Sequence, residues 1–231
     1  MTVACACLGI VALLAAPRDF EQALRADAAG SSLLEVETEG TSVSLRPGTD
    51  SEIRVVATGT WSGPRPEVSV GSGDARVSVR ATCRTGCSLR LDIAVPAGLA
   101  ARVGAGSGAI TASGLASPLD LRTGTGTIDV RGAAGPVGLR TESGTATLAD
   151  SRSSQVSVET SRGAVRGDFA EPPVALDVVT DTGAVDLALP AGTEYAVAAH
   201  SETAPMISLP VNRTARHAVT VRTGKGGIRI H

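Results

Sequence analysis

The sequence predicts an all-β fold, and three observations support this prediction. A short phrase marked by a glycine recurs at intervals of about 20 residues from residue 105 to residue 231. The segments beside each glycine alternate apolar and polar residues, as half-buried strands do. Aromatic residues make up only 2% of the 231 residues, so the core has to be built from Val, Leu, Ile and Ala. No segment after residue 100 shows a sustained helical period of apolar residues.

The repeat is defined by the glycine that precedes the second strand of each unit. Glycine permits a positive φ, or a close approach of neighbouring backbone, at such a corner. A unit of this length is too short for a strand–helix–strand motif, which needs about 30 residues, so each unit is predicted to be a strand, a tight turn and a second strand. A degenerate unit at residues 201–209 has Ala204 in place of the glycine. The predicted structural turn glycines are Gly108, Gly126, Gly144, Gly163, Gly183 and Gly226.

Aligned units place similar residues in columns. The column after the glycine holds Ile110, Ile128, Ala146, Val165, Val185, Ile207 and Ile228, and the upstream strand contributes Val103, Leu121, Leu139, Val158, Val178, Val197 and Val221. A threonine column (Thr123, Thr141, Thr160, Thr180 and Thr223) suggests a ladder of hydroxyl groups. An antiparallel sandwich is the alternative, but it needs no such identity between units. The columns therefore favour a parallel β-solenoid of about seven coils, spanning residues 101–231.

Residues 31–100 are less regular and are predicted to form an N-terminal β cap, because the end of a solenoid exposes unpaired strand edges. Cys83 and Cys87 lie within this region, separated by three residues that include Gly86. In an exported chain such a pair indicates a disulfide that pins a hairpin. A zinc site would need about two more ligands, and the three histidines show no ligand spacing.

The N-terminal segment Thr2–Ala16 contains no charged residue. It is shorter than the roughly 20 apolar residues of a membrane-spanning helix and fits the apolar region of a secretory signal. Residues 1–30 are therefore predicted to be a signal peptide or N-terminal membrane segment with a linker, and Cys5 and Cys7 lie within it. A buried N-terminal strand is the alternative. We expect an exported protein of the cell envelope or extracellular space.

The charge distribution narrows the possible partners. The formal net charge is −2, and charges of both signs are interspersed, so the chain lacks the basic patch that nucleic-acid binding requires. It also lacks a polybasic run for anionic lipid, so any membrane contact is expected through the N-terminal segment alone. Only Lys225 among the 21 basic residues is lysine, which we interpret as the codon bias of a GC-rich bacterial genome.

No catalytic, cofactor-binding or metal-binding residues are predicted. Calcium-binding repeats need an oxygen ligand in every loop. The column of Asp129 does not meet this requirement, because it contains arginine in some units. Asp129 and Asp186 share a column, as do Asp120 and Asp177, but each pair is three coils apart. At about 4.8 Å per strand their carboxyls would be about 14 Å apart, beyond the separation of about 6.5–9.5 Å in inverting glycosidases.

The chain contains no nucleophile elbow and no phosphate-binding loop. Tyr195, the one aromatic candidate for sugar stacking in the repeats, is interpreted as a packing residue.

The repeated T-x-x-G-x-[VI]-x-[VL] phrases resemble the bacterial DUF4097 family of adhesin-like β-strand-repeat proteins. The phrases CSLRLDIAVPAG (Cys87–Gly98) and ALPAGTEYAV (Ala188–Val197) carry the same resemblance, which covers about residues 31–231. It implies a right-handed parallel β-solenoid at the cell envelope. Relatives are often lipid-anchored, but this chain has no lipid-attachment cysteine after its apolar stretch.

The sequence therefore predicts a non-catalytic, exported cell-envelope or surface protein. Its solenoid would serve as an adhesin-like interaction surface or structural scaffold for an envelope protein or surface glycan that the sequence does not identify. Two alternatives remain. One is a β-helix enzyme that acts on polysaccharide, by analogy of fold, and the other is an envelope-stress accessory protein that acts through a partner.

Overall fold

The structure is a computed structural model that describes residues 16–49 and 51–231. Except for Ala16, the predicted export segment with Cys5 and Cys7 lies outside the described residues. Within the described ranges, no helix is long and apolar enough to cross a membrane.

The described residues form β-strands connected by turns. In chain order these are β1 (Arg18–Asp27), β2 (Leu33–Glu39), β3 (Thr41–Pro47), β4 (Glu52–Trp61), β5 (Glu67–Gly73), β6 (Arg76–Thr82), β7 (Cys87–Val95), β8 (Ala100–Ser107), β9 (Ile110–Ser113), β10 (Leu119–Thr125), β11 (Ile128–Arg131), β12 (Val137–Ser143), β13 (Ala146–Ser151), β14 (Gln155–Arg162), β15 (Val165–Phe169), β16 (Ala175–Thr182), β17 (Val185–Ala188), β18 (Tyr195–His200), β19 (Met206–Ile207), β20 (His217–Lys225) and β21 (Ile228–Ile230).

These strands build two large sheets that are mostly parallel. Sheet 1 has the order β1-β4-β7-β3-β9-β11-β13-β15-β17-β21-β19, and sheet 2 has the order β18-β20-β16-β14-β12-β10-β8-β2-β6-β5. The antiparallel pairs, β1 with β4, β4 with β7 and β5 with β6, all lie at the N-terminal end. The all-β prediction is confirmed.

Each repeat unit divides its two strands between the sheets. The first strand joins sheet 2 and the second joins sheet 1, and each pairs in parallel with the equivalent strand of the neighbouring unit. Leu121 lies beside Val103 and Leu139, and Ile128 lies beside Ile110 and Ala146. The predicted columns are therefore confirmed for the units from residue 101 to residue 188.

The core lies between the two sheets. Along each strand, buried residues alternate with exposed or partly exposed ones, and the buried residues of both sheets form one continuous cluster. Leu121 and Ile128 are both fully buried. Burying such a side chain contributes roughly 1.5–3 kcal/mol, and each unit buries only a few, so neighbouring units depend on one another for stability.

The predicted turn glycines form a close-packed column. At Gly144, φ is +152°, and a Cβ would lie 1.8 Å from the carbonyl oxygen of Gly126. No larger residue fits without moving the backbone. The other five also have positive φ, and a Cβ on any of them would lie within 2.4 Å of a carbonyl oxygen on the adjacent unit: Gly108, Gly126, Gly163, Gly183 and Gly226.

The threonine column is present, but its hydroxyl groups do not bond to one another as the predicted ladder required. Thr123 Oγ1 donates to the carbonyl oxygen of Gly108 at 3.3 Å, and Thr223 Oγ1 donates to that of Gly183 at 3.1 Å. The hydroxyl reaches the glycine carbonyl of the next unit because no side chain stands between them. Thr123, Thr180 and Thr223 link the threonine column to the glycine column in this way, whereas the buried hydroxyl groups of Thr141 and Thr160 have no hydrogen-bond partner among the described residues.

The prediction was wrong for the order of the last two units. Strand β20 lies between β16 and β18, so Val221 pairs with Val178 and with Ala199, while Val197 pairs with Val219. Likewise, Ile207 pairs with Ile230 rather than with Ile228. The reason is the glycine column. A Cβ on Gly226 would lie 2.1 Å from the carbonyl oxygen of Gly183, so the place beside Gly183 admits only glycine, and the unit with Ala204 occupies the outermost position.

The N-terminal region also differs from the prediction in three details. Strands β2 and β3 continue both sheets, with Val36 beside Val103 and Val43 beside Ile110. Residues 18–27 form β1, so the folded part begins before residue 31. Cys83 and Cys87 form a disulfide with a Cα–Cα distance of 5.5 Å, but it does not pin a hairpin. It closes the corner between β6 of sheet 2 and β7 of sheet 1.

Candidate functional site

A groove lies on the outer face of sheet 2. It is open to solvent, has a volume of about 530 Å³, and crosses the first residues of β2, β8, β10, β12, β14 and β16. These residues face outward because the aliphatic residues next to them in each strand face the core. Six strands at about 4.8 Å spacing give the groove a length of about 24 Å.

Small and apolar residues make up the floor of the groove. The first outward-facing position of successive units is occupied by Leu33, Ala100, Pro118, Pro136, Gln155 and Ala175. In the next row, Gly138 and Ser157 lie between the longer side chains of Asp120 and Asp177, as the strand pairing shows. A depression forms because two consecutive units have almost no side chain at this position.

A network of charged side chains crosses the β2 end of the groove. Asp120 lies between Arg102 and Arg122, with nitrogen–oxygen distances of 3.3 Å and 2.9 Å. Glu35 joins Arg102 at 3.9 Å and Arg76 at 3.0 Å. The hydrogen bond from the guanidinium to Asp120 raises the pKa of Arg122, so this side chain stays charged. Such half-exposed pairs stabilise the fold little, but they hold the charged groups in place along the groove.

Asp177 at the β16 end differs from Asp120. It lies in the same outward row, three strands away through Gly138 and Ser157. Among the described residues, no ion pair to its carboxylate is present. The groove therefore has an ion-paired carboxylate, Asp120, near its middle and, at its β16 end, the carboxylate of Asp177, which has no ion pair among the described residues. The sequence placed Asp120 and Asp177 in one column, but it could not show this difference, because ion pairing depends on residues of neighbouring strands.

Sheet 1 carries a second, smaller depression of about 220 Å³ on its outer face. His231 Nε2 lies 3.2 Å from Asp186 Oδ1, and both side chains are about half exposed. Asp168 and Arg166 line the same depression. Asp168 pairs with Ala188, so it lies diagonally opposite Asp186. The strand spacing and the rise per residue place the two Cα atoms about 8 Å apart. The column comparison missed this pair because it considered only residues at equivalent positions.

The carboxylate pairs that the sequence placed in shared columns lie where expected. Asp129 connects to Asp186 through Thr147 and Arg166, a separation of three strands, or about 14 Å. Within residues 16–49 and 51–231, no group of three or more His, Cys, Asp or Glu residues is placed to hold a metal ion.

Tyr195 is not available for sugar stacking. Its side chain is fully buried, and its hydroxyl donates to the carbonyl oxygen of Pro190 at 3.0 Å. Its ring makes an edge-to-face contact with His217, at 5.9 Å between centroids. Burial raises the pKa of Tyr195. The interpretation of Tyr195 as a packing residue is confirmed.

Comparison with known proteins gives a limited result. The sequence matches no protein-family model and no curated protein. Two solved structures are similar to this chain. One is a "putative cell adhesion protein" from Clostridium sporogenes, with 11% identity, coverage of 92% of this chain and 99% of that one, and a TM-score of 0.48. The other is a "putative adhesin" from Bacteroides fragilis, with 10% identity, coverage of 92% and 97%, and a TM-score of 0.40. Because both TM-scores lie below 0.5, we draw no conclusion about this chain from them.

Proposed function

We propose that this chain is a non-catalytic, exported cell-envelope or surface protein of the DUF4097 type, adhesin-like in function. In this proposal the units form a right-handed β-solenoid of about seven coils. The groove on the outer face of sheet 2 binds an extended segment of a partner protein. The observation that carries the proposal is the groove itself, which crosses six strands.

The strand pairing supports the solenoid. Successive units pair in parallel with the same register, Val103 with Leu121 and Leu121 with Leu139. Parallel sheets usually have both faces covered, but here the outer faces carry charged residues such as Arg122 and Arg140. A scaffold of this kind offers a long, regular outer face on which several units contribute to one binding surface.

The lining of the groove favours a polypeptide over a glycan. Sugar-binding surfaces commonly offer an aromatic ring for stacking, whereas the groove is lined by Pro118, Pro136, Ala100 and other small or apolar residues. Its length of about 24 Å matches about seven residues of extended chain at roughly 3.3–3.6 Å each. The free carboxylate of Asp177 favours a basic residue at the corresponding end of the ligand. We therefore expect an extended segment with small apolar side chains and one Arg or Lys.

Two features support export. The apolar N-terminal segment fits a secretory signal, and the disulfide between Cys83 and Cys87 is typical of oxidising compartments outside the cytoplasm. Cell fractionation of the source organism with an antibody to the chain tests this part. Recovery of the protein only in the cytoplasm would contradict it.

A phage-displayed library of random heptapeptides, panned against the immobilised protein, tests the groove. We expect enriched peptides to carry one basic residue, to bind Gly138→Phe at least tenfold more weakly, and to lose the basic preference with Asp177→Asn. Gly138 faces outward, and a Cβ there would meet no atom closer than 3.8 Å, so phenylalanine fills the groove without entering the core. Ser113→Phe, on the outer face of sheet 1, is the matched control and should bind like the unmodified protein.

The same variants test the glycan alternative on an array of surface polysaccharides. Glycan binding that Gly138→Phe abolishes, with no peptide enriched, would show that the partner class is wrong. Peptide binding that is equal for Gly138→Phe and Ser113→Phe would show that the groove is not the binding surface.

A polysaccharide-acting enzyme remains a second candidate because of the depression on sheet 1. The diagonal placement of Asp168 and Asp186 is compatible with the carboxyl separation of about 6.5–9.5 Å in inverting glycosidases. However, the general acid of a glycosidase is held in an apolar pocket, whereas Asp168 is exposed and Asp186 is about half exposed. Release of reducing sugar from cell-wall polysaccharide by the unmodified protein, lost in both Asp168→Asn and Asp186→Asn, would favour the enzyme and contradict our proposal.

A further inference from the structure

The C-terminal end of the array leaves its core open. Val197, Ala199 and Leu209 in the outermost unit are only partly buried, whereas Val219 and Val221 in the next strand are fully buried. Four large apolar side chains are notably exposed within the described residues. Three of them belong to this end, namely Met206 at 62%, Val211 at 51% and Ile207 at 38%.

The N-terminal end is closed. The outermost strands of the two sheets, β1 and β5, contact each other across it. Charged residues also protect the free edge of β1, at Arg18, Asp19, Glu21, Arg25 and Asp27. Charges on an edge strand oppose pairing with another chain. Strand β18 contains no Asp, Glu, Lys, Arg or Pro, so the outermost strand of sheet 2 at the C-terminal end lacks this protection.

The hydrogen bonding of β18 defines which backbone groups face outward. The Tyr195 amide donates to the carbonyl oxygen of Pro210 at 3.2 Å, and the Asn212 amide donates to the carbonyl oxygen of Tyr195 at 2.9 Å. The outer side of β18 is therefore covered at Tyr195. In a parallel ladder the groups of every second residue point to the same side, so Val197 and Ala199 direct their N–H and C=O groups outward. The uncovered window is Ala196–His200, and its midpoint is Ala198.

We propose that a second copy of this chain covers this end, with β18 pairing antiparallel to the same strand of the second copy about a twofold axis at Ala198. Val197 then exchanges two backbone hydrogen bonds with Ala199 of the second copy, and the symmetric pair does the same. The hydrogen-bonding pattern allows an axis at Val197, Ala198 or Ala199, and the midpoint of the uncovered window selects Ala198. His200 faces Ala196 of the second copy, so no like charges meet. Met206 and Ile207 at the edge of sheet 1 pack against the same residues across the axis.

The available area indicates a weak dimer. Strand β18 has six residues, about 20 Å in length, and the two sheets are about 10 Å apart. With side chains, the end face covers on the order of 500 Å² per copy, or about 1,000 Å² in total, which is the lower limit for a specific interface. An isologous contact of this kind closes at two copies and does not propagate into a fibre. We therefore expect a dimer whose population depends on protein concentration in the micromolar range.

A cysteine cross-link tests the axis directly. In the proposed register Ala198 faces itself as a non-hydrogen-bonded antiparallel pair, with a Cα–Cα distance of about 4.5 Å, which a disulfide can bridge. Ala198 is exposed on the outer face of sheet 2, so Ala198→Cys leaves the core unchanged. Cys5→Ser and Cys7→Ser are made in the full chain to remove the other candidate thiols. We expect Ala198→Cys to form a covalent dimer on mild oxidation, as seen on a non-reducing gel.

Thr220→Cys is the matched control. Thr220, on the adjacent strand, pairs with Ala198 and also faces outward. Three strand spacings separate it from Thr220 of the second copy, a distance of about 14 Å. We expect no cross-link there. Equal cross-linking of Ala198→Cys and Thr220→Cys, or none for either variant, would overturn the proposed pairing.

Sedimentation velocity of the full chain tests the apolar contact independently. We expect the dimer fraction of the unmodified chain to rise with micromolar concentration. Met206→Lys should reduce that fraction at least tenfold. Val174 is also an exposed apolar residue, but it lies beside β20, on the side of β20 opposite to β18, so Val174→Lys should leave the fraction unchanged. A chain that stays monomeric across this range, or a dimer weakened by Val174→Lys but not by Met206→Lys, would contradict the proposal.

Discussion

In the middle of the array, Ile128 has Ile110 on one side and Ala146 on the other and is fully buried. Val197, in the outermost unit, pairs with Val219 on one side only and is partly buried. Both residues belong to the same kind of strand–turn–strand unit. The comparison shows that the burial of a unit depends on the number of its neighbours as well as on its own sequence. It also explains why an end of the array needs a cover, which β1 and β5 supply at the N-terminal end.

The largest expected effect comes from placing a charge in the two regions. Ile128→Asp removes an aliphatic contact in two interfaces and buries a charge without a partner, so we expect a loss of more than about 4 kcal/mol in the free energy of unfolding. Val197→Asp should cost only about 1–2 kcal/mol because its carboxylate can reach water. Urea melts of both variants give the comparison. Equal losses would show that the outermost unit is as well packed as the middle one.

The next effect concerns the glycine column. In Gly144→Ala the new Cβ would lie 1.8 Å from the carbonyl oxygen of Gly126, so the backbone has to move, and we expect a loss of about 3 kcal/mol from the combined strain and overpacking. Gly192→Ala is the control. Its φ is also positive, at +83°, but no atom lies within 4 Å of the new Cβ, so only the conformational cost of about 1 kcal/mol remains. Similar midpoints of thermal unfolding for the two variants would refute the close approach.

A smaller effect is expected from the disulfide at the closed end. Cys83 and Cys87 are four positions apart, and a loop this short contributes about 2 kcal/mol in the chain-entropy model. Cys83→Ser with Cys87→Ser should lower the free energy of unfolding by this amount, as should a reductant added to the unmodified protein. Denaturant melts with and without reductant measure it. Two free thiols in the folded, unreduced protein would contradict the bond itself.

The smallest effect is expected on the outer face of the middle units. Asp129 follows Ile128 and lies between Thr111 and Thr147 on the outer face of sheet 1. Asp129→Ala should change the free energy of unfolding by no more than about 0.5 kcal/mol. Because a shift of one residue would exchange the two side chains, the same urea melts as for Ile128→Asp check the strand register. An Asp129 variant that is less stable than the Ile128 variant would show that the register is wrong.

The N-terminal cap illustrates what the sequence leaves open. Alternation along residues 31–100 predicted strands there, but strand pairing depends on distant residues. Strands β2 and β3 continue the array because Val36 and Val43 match the columns of Val103 and Ile110. The sequence comparison did not detect this match because the repeat was defined by the T-x-x-G turn, which is absent between β2 and β3. The corner at Cys83 and Cys87 was taken for a hairpin because two residues close in sequence cannot reveal that their strands belong to different sheets.

The sequence by itself determined the all-β class, the strand–turn–strand unit, the buried columns and the turn glycines, because each depends on local alternation or on a steric requirement that only glycine meets. Tertiary structure alone decided the order of the last two units, since Gly226 rather than Ala204 fits beside Gly183. It also decided the groove. The groove is deep at Gly138 and Ser157 because these two small residues lie side by side on neighbouring strands. Asp120 has ion pairs and Asp177 has none among the described residues, and this difference also depends on neighbouring strands. The sequence of a single strand does not determine which residues its neighbours place beside it.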